Sequence, residues 1–367
     1  MDKVNVGVIG CGNICGIYFK NLKRFPFLEV AACADLDVER AKAKAAEFGI
    51  PKACTTEELL KDPKIQVVVN LTVPLAHGEI ALAAVKKGKS VYNEKPLCVR
   101  RAEAKKLADK AEKKGVRIGC APDTFLGAGL QTCRKLLDDG VIGTPVAATA
   151  FMMGGGPEGW HPNPAFFYQV GGGPMFDMGP YYLTALVSLL GPVEAVTGMT
   201  RISFPERTVG SGPFKGQRIQ VEIPTHIVGV LKFASGPIGN LITSFDVKGG
   251  ANLPRIEIYG SEGTLCVPDP NTFGGPVKVK RIDEKEYREV KLEHGYEENS
   301  RGVGVADLVL GIQNERPHRA SGELAFHVLD IMHTIHDAAA AGRHLALKST
   351  CGKPRALPAG LQFGQLD

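Results

Sequence analysis

Three short segments of the sequence carry residue types that could perform chemistry. Gly10-Cys-Gly-Asn-Ile-Cys-Gly16 follows an apolar run and opens a helical segment, and Glu94-Lys95-Pro96 ends a second apolar run. The carboxylate of Asp177 follows a Gly171-Gly-Gly run. Glycine at a helix N-terminus can hold a phosphate, an ammonium can stabilise an oxyanion, and a glycine run lets the chain lie close to a ligand.

The first segment predicts a dinucleotide site. Gly10 and Gly12 permit a tight turn and a close approach of the backbone to a pyrophosphate, while Asn13 and Ile14 lead into the helix. The third fingerprint position is usually Gly or Ala and is Cys15 in this chain.

A carboxylate at the end of the next strand completes the dinucleotide pattern. Asp35 stands 19 residues past Gly16, where it can accept hydrogen bonds from both ribose hydroxyls. It would repel a 2′-phosphate, and the next residue is Leu36 rather than an arginine. We therefore expect NAD as cofactor in preference to NADP.

Alternating elements before residue 120 predict the fold that positions these segments. The strands are predicted at Val4–Ile9, Leu28–Ala34, Val67–Leu71, Ser90–Asn93 and Val116–Cys120, and helical stretches separate them. This order indicates an α/β fold: a Rossmann domain with a doubly wound parallel sheet over residues 1–120.

The pattern of predicted strands and helices changes beyond residue 120. Strands without intervening helices follow Val193, and a long helix is predicted at Gly322–Ala341. We expect a C-terminal α+β domain over residues 121–367, built on an open, mostly antiparallel sheet. Whether the last segment returns to the Rossmann domain is left open.

Composition excludes several classes of function. The net charge of +5 is dispersed, whereas a nucleic-acid binder usually concentrates its charge. The nine cysteines include no CxxC pair and favour buried free thiols. No apolar run is long enough to span a membrane, and a strand begins at Val4, so we expect no signal peptide and a cytoplasmic location.

Further motifs resemble one known family. Val69-Asn-Leu-Thr-Val-Pro-Leu-Ala-His77, Glu94-Lys95-Pro96 and Gly171-Gly-Gly-Pro-Met-Phe-Asp-Met-Gly179 are similar to motifs of the glucose–fructose oxidoreductase/inositol dehydrogenase (Gfo/Idh/MocA) family. The resemblance implies an enzyme that moves hydride between NAD(P) and a secondary hydroxyl of a sugar, glycoside or cyclitol. It implies a homodimer or homotetramer and no catalytic metal. It also implies that the cofactor contacts extend to Thr72, Pro74, His77, Glu94 and Lys95.

The resemblance also implies the catalytic roles. Lys95 would hold the reacting oxygen and Asp177 would orient the substrate. The family pattern Asp-x-Gly-x-His places a general base where this chain has Tyr181. A phenol ordinarily titrates near pKa ~10, so Tyr181 could act as base only beside a cation. His161, in the loop Trp160-His-Pro-Asn-Pro, is the rival candidate.

Two alternatives remain open at this point. The last predicted helix carries His327, His333 and His336, and we interpret these histidines as packing positions rather than metal ligands. Arg319, which precedes that helix, is a candidate contact for an anionic substrate group. A protein that binds the cofactor without turnover, as a sensor or structural partner, is the alternative to the enzyme.

Overall fold

The computed structural model describes residues 3–367. Its first sheet is parallel throughout, with the strand order β3-β2-β1-β4-β5-β6 of a Rossmann fold. The strands are β1 (Val4–Ile9), β2 (Leu28–Ala34), β3 (Ala53–Cys54), β4 (Val67–Asn70), β5 (Ser90–Asn93) and β6 (Ile118–Cys120). The helices are α1 (Cys15–Leu22), α2 (Val38–Phe48), α3 (Thr56–Lys61), α4 (His77–Lys86) and α5 (Arg101–Lys114).

Local sequence signals explain these elements. Every residue of β4 and β5 is buried, as expected for parallel strands that helices cover on both faces. The side chain of Asp37 caps α2 by accepting from the N–H groups of Glu39 and Arg40, and α2 ends at Gly49 in the left-handed conformation.

The second sheet has nine strands in the order β16-β15-β14-β13-β7-β12-β11-β8-β17. Strands β7 and β12 pair in parallel, while the other neighbouring pairs are antiparallel. The strands are β7 (Pro145–Met153), β8 (Val193–Arg201), β11 (His226–Phe233), β12 (Ile238–Ser244), β13 (Ile256–Gly260), β14 (Gly263–Val267), β15 (Val277–Arg281), β16 (Arg288–Val290) and β17 (Leu345–Ala346). A separate hairpin pairs β9 (Glu206–Thr208) with β10 (Arg218–Gln220).

The remaining helices are α6 (Ala128–Asp138), α7 (Gly173–Asp177), α8 (Gly179–Leu190), α9 (Val303–Gln313) and α10 (Gly322–Ala341). Helix α10 covers one face of the sheet: Ile335 fills the space above Gly198 of β8 and Gly229 of β11. On the opposite face Met199 is 79% exposed and Val230 is 40% exposed. The predicted fold class is confirmed, including the open, mostly antiparallel second sheet.

The end of the chain packs against the segment that precedes β2. The ring centroid of Phe363 lies 5.5 Å from that of Phe25 before β2, and the guanidinium of Arg24 lies 3.4 Å over the Phe363 ring. Asp367 pairs with Arg319 at 2.5 Å. The boundary near residue 120 stays a prediction.

All nine cysteines are free thiols, and eight of them are buried. Of the helices that the structure describes, none is long and apolar enough to cross a bilayer.

Candidate active site

The turn between β1 and α1 forms one end of the site. Gly10 has φ +102°, and a Cβ there would lie 2.6 Å from the carbonyl carbon of Leu71, so the turn requires glycine. A Cβ on Gly12 would meet no protein atom within 4 Å, which leaves space in front of α1. Asn13 and Ile14 lead from that space into the helix, whose first N–H groups have no partner within it. The turn therefore fits a pyrophosphate.

Backbone hydrogen bonds fix the carboxylate of Asp35. Its Oδ2 accepts from the N–H of Cys11 at 2.8 Å, and its Oδ1 accepts from the N–H of Asp37 at 3.0 Å. Leu36 beside it is fully exposed. A second neighbour, which the sequence did not indicate, is Arg40: it lies one turn into α2, and its Nη1 is 3.5 Å from Oδ1 of Asp35.

The segment after β4 is held to the segment after β5. The hydroxyl of Thr72 donates to Asn70 Oδ1 at 2.7 Å, and Pro74 opens a 3₁₀ turn before α4. The buried ring of His77 places Nδ1 2.7 Å from the carbonyl oxygen of Pro96 and Nε2 3.0 Å from that of Thr72. His77 thus joins the segments that follow β4 and β5. The prediction that Thr72, Pro74 and His77 contact the cofactor stays a prediction.

Lys95 and Asp177 meet at the carboxyl end of β5. The Nζ atom of Lys95 donates to Oδ1 of Asp177 at 2.8 Å and to the carbonyl oxygen of the same residue at 2.7 Å. Burial disfavours the charged form of Lys95, but attraction to the Asp177 carboxylate contributes most to offsetting burial, and the lysine pKa is raised above its usual value. Lys95 is therefore a fixed, protonated donor.

Tyr181 lies under this ion pair. Its ring centroid is 5.3 Å from Nζ of Lys95, and the side chain is buried. Burial raises the pKa of Tyr181 above its ordinary value, while Lys95 and Arg301 act in the opposite direction. The position where the family carries a histidine is thus occupied by a phenol whose ring lies beside the Lys95 ammonium.

Three further side chains complete the surroundings of Lys95. Glu94 accepts from the hydroxyl of Tyr18 at 2.8 Å and from the N–H of Lys95 at 3.0 Å. The charge of Arg301 acts to lower the pKa of Tyr181, against the larger effect of burial. Tyr18 and Arg301 were not predicted from the sequence, because neither belongs to a motif and Arg301 lies more than a hundred residues from Tyr181.

His161 occupies a different environment. Its Nδ1 accepts from the N–H of Asn163 at 3.1 Å, and its ring packs edge-on against Phe166 and Phe167. Trp160 beside it is 70% exposed. These contacts, taken within the described part of the chain, do not include Lys95, Asp177 or Tyr181.

The last helix serves packing. Nε2 of His333 lies 3.0 Å from the carbonyl oxygen of Val99, and the ring packs on Phe176. The expectation for Arg319 was wrong, because this buried guanidinium pairs with Asp307 at 2.6 Å and with Asp367. Residues 3–367 contain no group of three or more side chains arranged to hold a metal ion.

Two family models match the chain. Residues 4–121 match the oxidoreductase family with an NAD-binding Rossmann fold, and residues 130–266 match the C-terminal domain of Gfo/Idh/MocA proteins. The chain belongs to the Gfo/Idh/MocA family. Its Rossmann domain is therefore the NAD-binding domain of that family of oxidoreductases.

Curated Gfo/Idh/MocA relatives include sugar and cyclitol dehydrogenases. Levoglucosan dehydrogenase of Pseudarthrobacter phenanthrenivorans is 25% identical over 290 residues, which cover 72% of this chain and 73% of the relative. Myo-inositol 2-dehydrogenase of Thermotoga maritima is 25% identical over 325 residues, covering 87% and 91%. A solved structure of levoglucosan dehydrogenase with NADH and levoglucosan superposes with a TM-score of 0.80 at 22% identity, covering 95% of this chain and 100% of that one.

Proposed function

We propose that this protein is an NAD-dependent dehydrogenase that oxidises a secondary hydroxyl of a sugar, glycoside or cyclitol. The contact between Lys95 and Asp177 carries the proposal, because it joins a fixed cation and a carboxylate at the edge of the sheet where ligands of Rossmann folds bind. The named activities of the curated relatives, on levoglucosan and inositols, support the substrate class.

In this proposal Lys95 and Asp177 bind different hydroxyl groups of the substrate. Lys95 donates to the reacting oxygen and stabilises the negative charge that develops there. The second oxygen of Asp177 accepts from a neighbouring hydroxyl, which orients a polyhydroxylated ring and disfavours a simple alcohol. When bound, NAD supplies the carbon that accepts hydride from the substrate.

Tyr181 is the proposed proton acceptor. Its ring lies against the same ammonium that would hold the reacting oxygen, whereas His161 contacts the aromatic residues of its own loop. A phenol needs a neighbouring cation to act as base, and the ammonium of Lys95 lies 5.3 Å from the centroid of the Tyr181 ring.

The proposed cofactor is NAD rather than NADP. The open space before Gly12 and the backbone-fixed Asp35 fit an adenosine ribose with a free 2′-hydroxyl. Arg40 does not reverse this preference, since Asp35 and Asp37 both lie within 3.6 Å of its guanidinium and offset its charge.

The decisive experiment measures NAD reduction with levoglucosan, myo-inositol, scyllo-inositol and methyl glucosides. We expect turnover with at least one of them and a loss of about 10²–10³-fold in kcat for Lys95→Met, since a donor to the developing oxyanion is removed. Lys105→Met, which changes an exposed lysine of α5, is the matched control and keeps full activity.

Binding measurements separate the enzyme from the alternative function. Calorimetry should show that Lys95→Met still binds NAD, because the pyrophosphate turn is untouched. Unchanged turnover in Lys95→Met would refute the catalytic assignment. Tight NAD binding by the wild type without turnover on any of these compounds would favour a sensor or structural partner.

We also propose that the protein forms a homodimer or homotetramer through the open face of the second sheet. Met199, Val230 and Ile238 lie on this face and are all more than a third exposed. Apolar surface of this kind on a flat sheet favours association with a second copy.

A further inference from the structure

The two segments that carry Lys95 and Asp177 also line a cavity of about 220 Å³. Val99 lies four residues beyond Lys95, and Phe176 directly precedes Asp177 in α7. Both Val99 and Phe176 line the cavity, whereas the proposed hydride chemistry uses neither of them. The cavity is therefore a feature that the proposed reaction leaves without a role.

The glycine run before α7 forms one wall of this cavity. Gly171 has φ +92°, and a Cβ on it would lie 3.1 Å from Cγ2 of Val99. Gly173 has φ +82°, and a Cβ on it would lie 2.8 Å from Cδ1 of Ile223, which also lines the cavity. The run can lie against both residues only because glycine has no side chain. This wall therefore contributes backbone atoms only.

Three rings form much of the remaining lining. The ring centroid of Phe176 lies 5.0 Å from that of His333 at an interplanar angle of 77°, and 6.1 Å from that of His336 at 33°. Met175 and Ile223 add apolar atoms. Such a lining favours a flat, apolar ligand. An apolar cavity of about 150 Å³ is enough to bind benzene, so this one has room for a single aromatic ring with a small substituent.

The two histidines provide hydrogen-bond acceptors for such a substituent. Nε2 of His333 lies 3.0 Å from the carbonyl oxygen of Val99, so Nε2 is the donor and Nδ1 of the neutral ring is an acceptor. The ring of His336 has no hydrogen-bond partner among residues 3–367. Burial lowers the pKa of both imidazoles, which favours their neutral forms.

The cavity also selects the charge of its ligand. Arg100 is the one charged residue in the lining, its side chain is 72% exposed, and its Nη1 lies 3.2 Å from Oε1 of Glu103. A carboxylate thus already accompanies this guanidinium at the rim. With neutral histidines inside and a paired arginine outside, the lining favours an uncharged ligand over an anion.

We propose that this cavity binds an uncharged aromatic ring that carries a hydroxyl group, with the ring against Phe176 and the hydroxyl donating to His336. Such a ring has two sources. One is a free phenol. The other is an aryl glycoside whose sugar lies at Lys95 and Asp177, and this source alone rests on the proposed function.

A direct binding measurement tests the cavity without any turnover. Ligand-observed NMR titrations of the full chain should give a Kd for phenol below about 1 mM. Ile223→Trp places an indole in the cavity and should weaken the binding of phenol at least about tenfold. Ile282→Trp changes an isoleucine that is 79% exposed and should leave it unchanged. Equal phenol binding by Ile223→Trp and the wild type would overturn the proposal, as would no binding by the wild type.

The hydroxyl contact has its own test. His336→Leu keeps an apolar side chain and removes the acceptor, so phenol should bind about 5–10-fold more weakly while toluene, which lacks the hydroxyl, binds as before. His344→Leu, at an exposed histidine, is the matched control and should change neither value. Equal weakening of phenol and toluene would overturn the role of His336. This comparison also decides the proposal if a thermal melt shows that Ile223→Trp does not fold.

Kinetics then distinguish the two sources of the ring. A preference of about tenfold or more in kcat/KM for 4-hydroxyphenyl glucoside over methyl glucoside, abolished in Ile223→Trp, would assign the ring to the substrate. Equal values for the two glucosides, together with phenol binding, would assign the cavity to a free phenol. Absence of turnover on every sugar and inositol would refute the proposed function, and the binding measurements would still test the cavity.

Discussion

Nη1 of Arg40 lies 3.5 Å from Oδ1 of Asp35, although Arg40 belongs to the exposed surface of α2. The pair brings a cation to the place where a 2′-phosphate would lie, but Asp35 occupies the nearer position at the end of β2. Replacing Asp35 should release Arg40 to bind phosphate.

Asp35→Ser is therefore expected to raise the ratio of kcat/KM for NADP to that for NAD by about tenfold to a hundredfold, the worth of one charge-assisted hydrogen bond. Steady-state kinetics with both cofactors measure this ratio. In Asp35→Ser/Arg40→Ala the gain should disappear. An unchanged ratio in the single variant would show that Asp35 does not select the cofactor.

Asp123 makes the stability of the protein depend on pH. Its Oδ2 accepts from the N–H groups of Gly302 and Gly304, but its buried Oδ1 has no partner among residues 3–367. Burial raises the pKa of Asp123 from 3.8 to about 6. The folded state then binds the proton more tightly than the unfolded state, so this contribution is complete at low pH and is lost as the pH rises through about 6.

Asp123→Asn removes the titrating carboxyl and with it this pH dependence of stability. Relative to the wild type, its free energy of unfolding should improve by about 1 kcal/mol from about pH 5 to about pH 8. Urea denaturation at the two pH values measures the change. The exposed Asp109→Asn serves as control and should follow the wild type. Parallel pH dependence of Asp123→Asn and the wild type would contradict the assignment.

Arg207 anchors the loop that carries Trp160 and His161. Its buried guanidinium donates to Oε1 of Glu158 at 2.8 Å and also pairs with Asp246. Arg207→Ala would leave two buried carboxylates without this partner and should lower the free energy of unfolding by about 3–5 kcal/mol. Arg218→Ala, in the same hairpin, removes an exposed pair with Glu206 and should change it by less than about 0.5 kcal/mol. Equal melting temperatures for the two variants would disprove this role.

Met199→Asp tests the proposed contact between copies. A carboxylate in the middle of the open sheet face would be desolvated on association, so light scattering should show a smaller particle than for the wild type. Ile282→Asp changes a residue of equal exposure just beyond β15 and should leave the particle size unchanged. The same mass for Met199→Asp and the wild type would place the interface elsewhere.

Motifs with local physical causes could be predicted from the sequence. The β1–α1 turn needs glycine at position 10, and the apolar runs of β4 and β5 indicate a parallel sheet, so the fold could be predicted from the residues. That Lys95 and Asp177 share one site was implied only by the resemblance of their motifs to a known family. Strand β3 has two residues, too few to show a period. Helix α9 is buried on all sides over most of its length, so it lacks the polar stripe by which an amphipathic helix is found.

Features that depend on distant contacts could not be predicted. The start of α9 is held next to the segment after β6, because the carboxylate of Asp123 accepts from the N–H groups of Gly302 and Gly304, which lie about 180 residues further along the chain. His161 turns toward Phe166 and Phe167 because that aromatic cluster packs locally. In both cases tertiary packing, rather than residue spacing, decides which side chains share the site.

The ring of His77 contacts two carbonyl oxygens, that of Thr72 in the segment after β4 and that of Pro96 in the segment after β5. Burial lowers the pKa of this imidazole, and a neutral ring carries a single N–H. One ring nitrogen therefore donates a hydrogen bond to its carbonyl oxygen, while the unprotonated nitrogen directs its lone pair at the other carbonyl oxygen. The ring therefore ties the loop after β4 to the loop after β5 through a single N–H donor, and a second proton on the ring would provide the second donor.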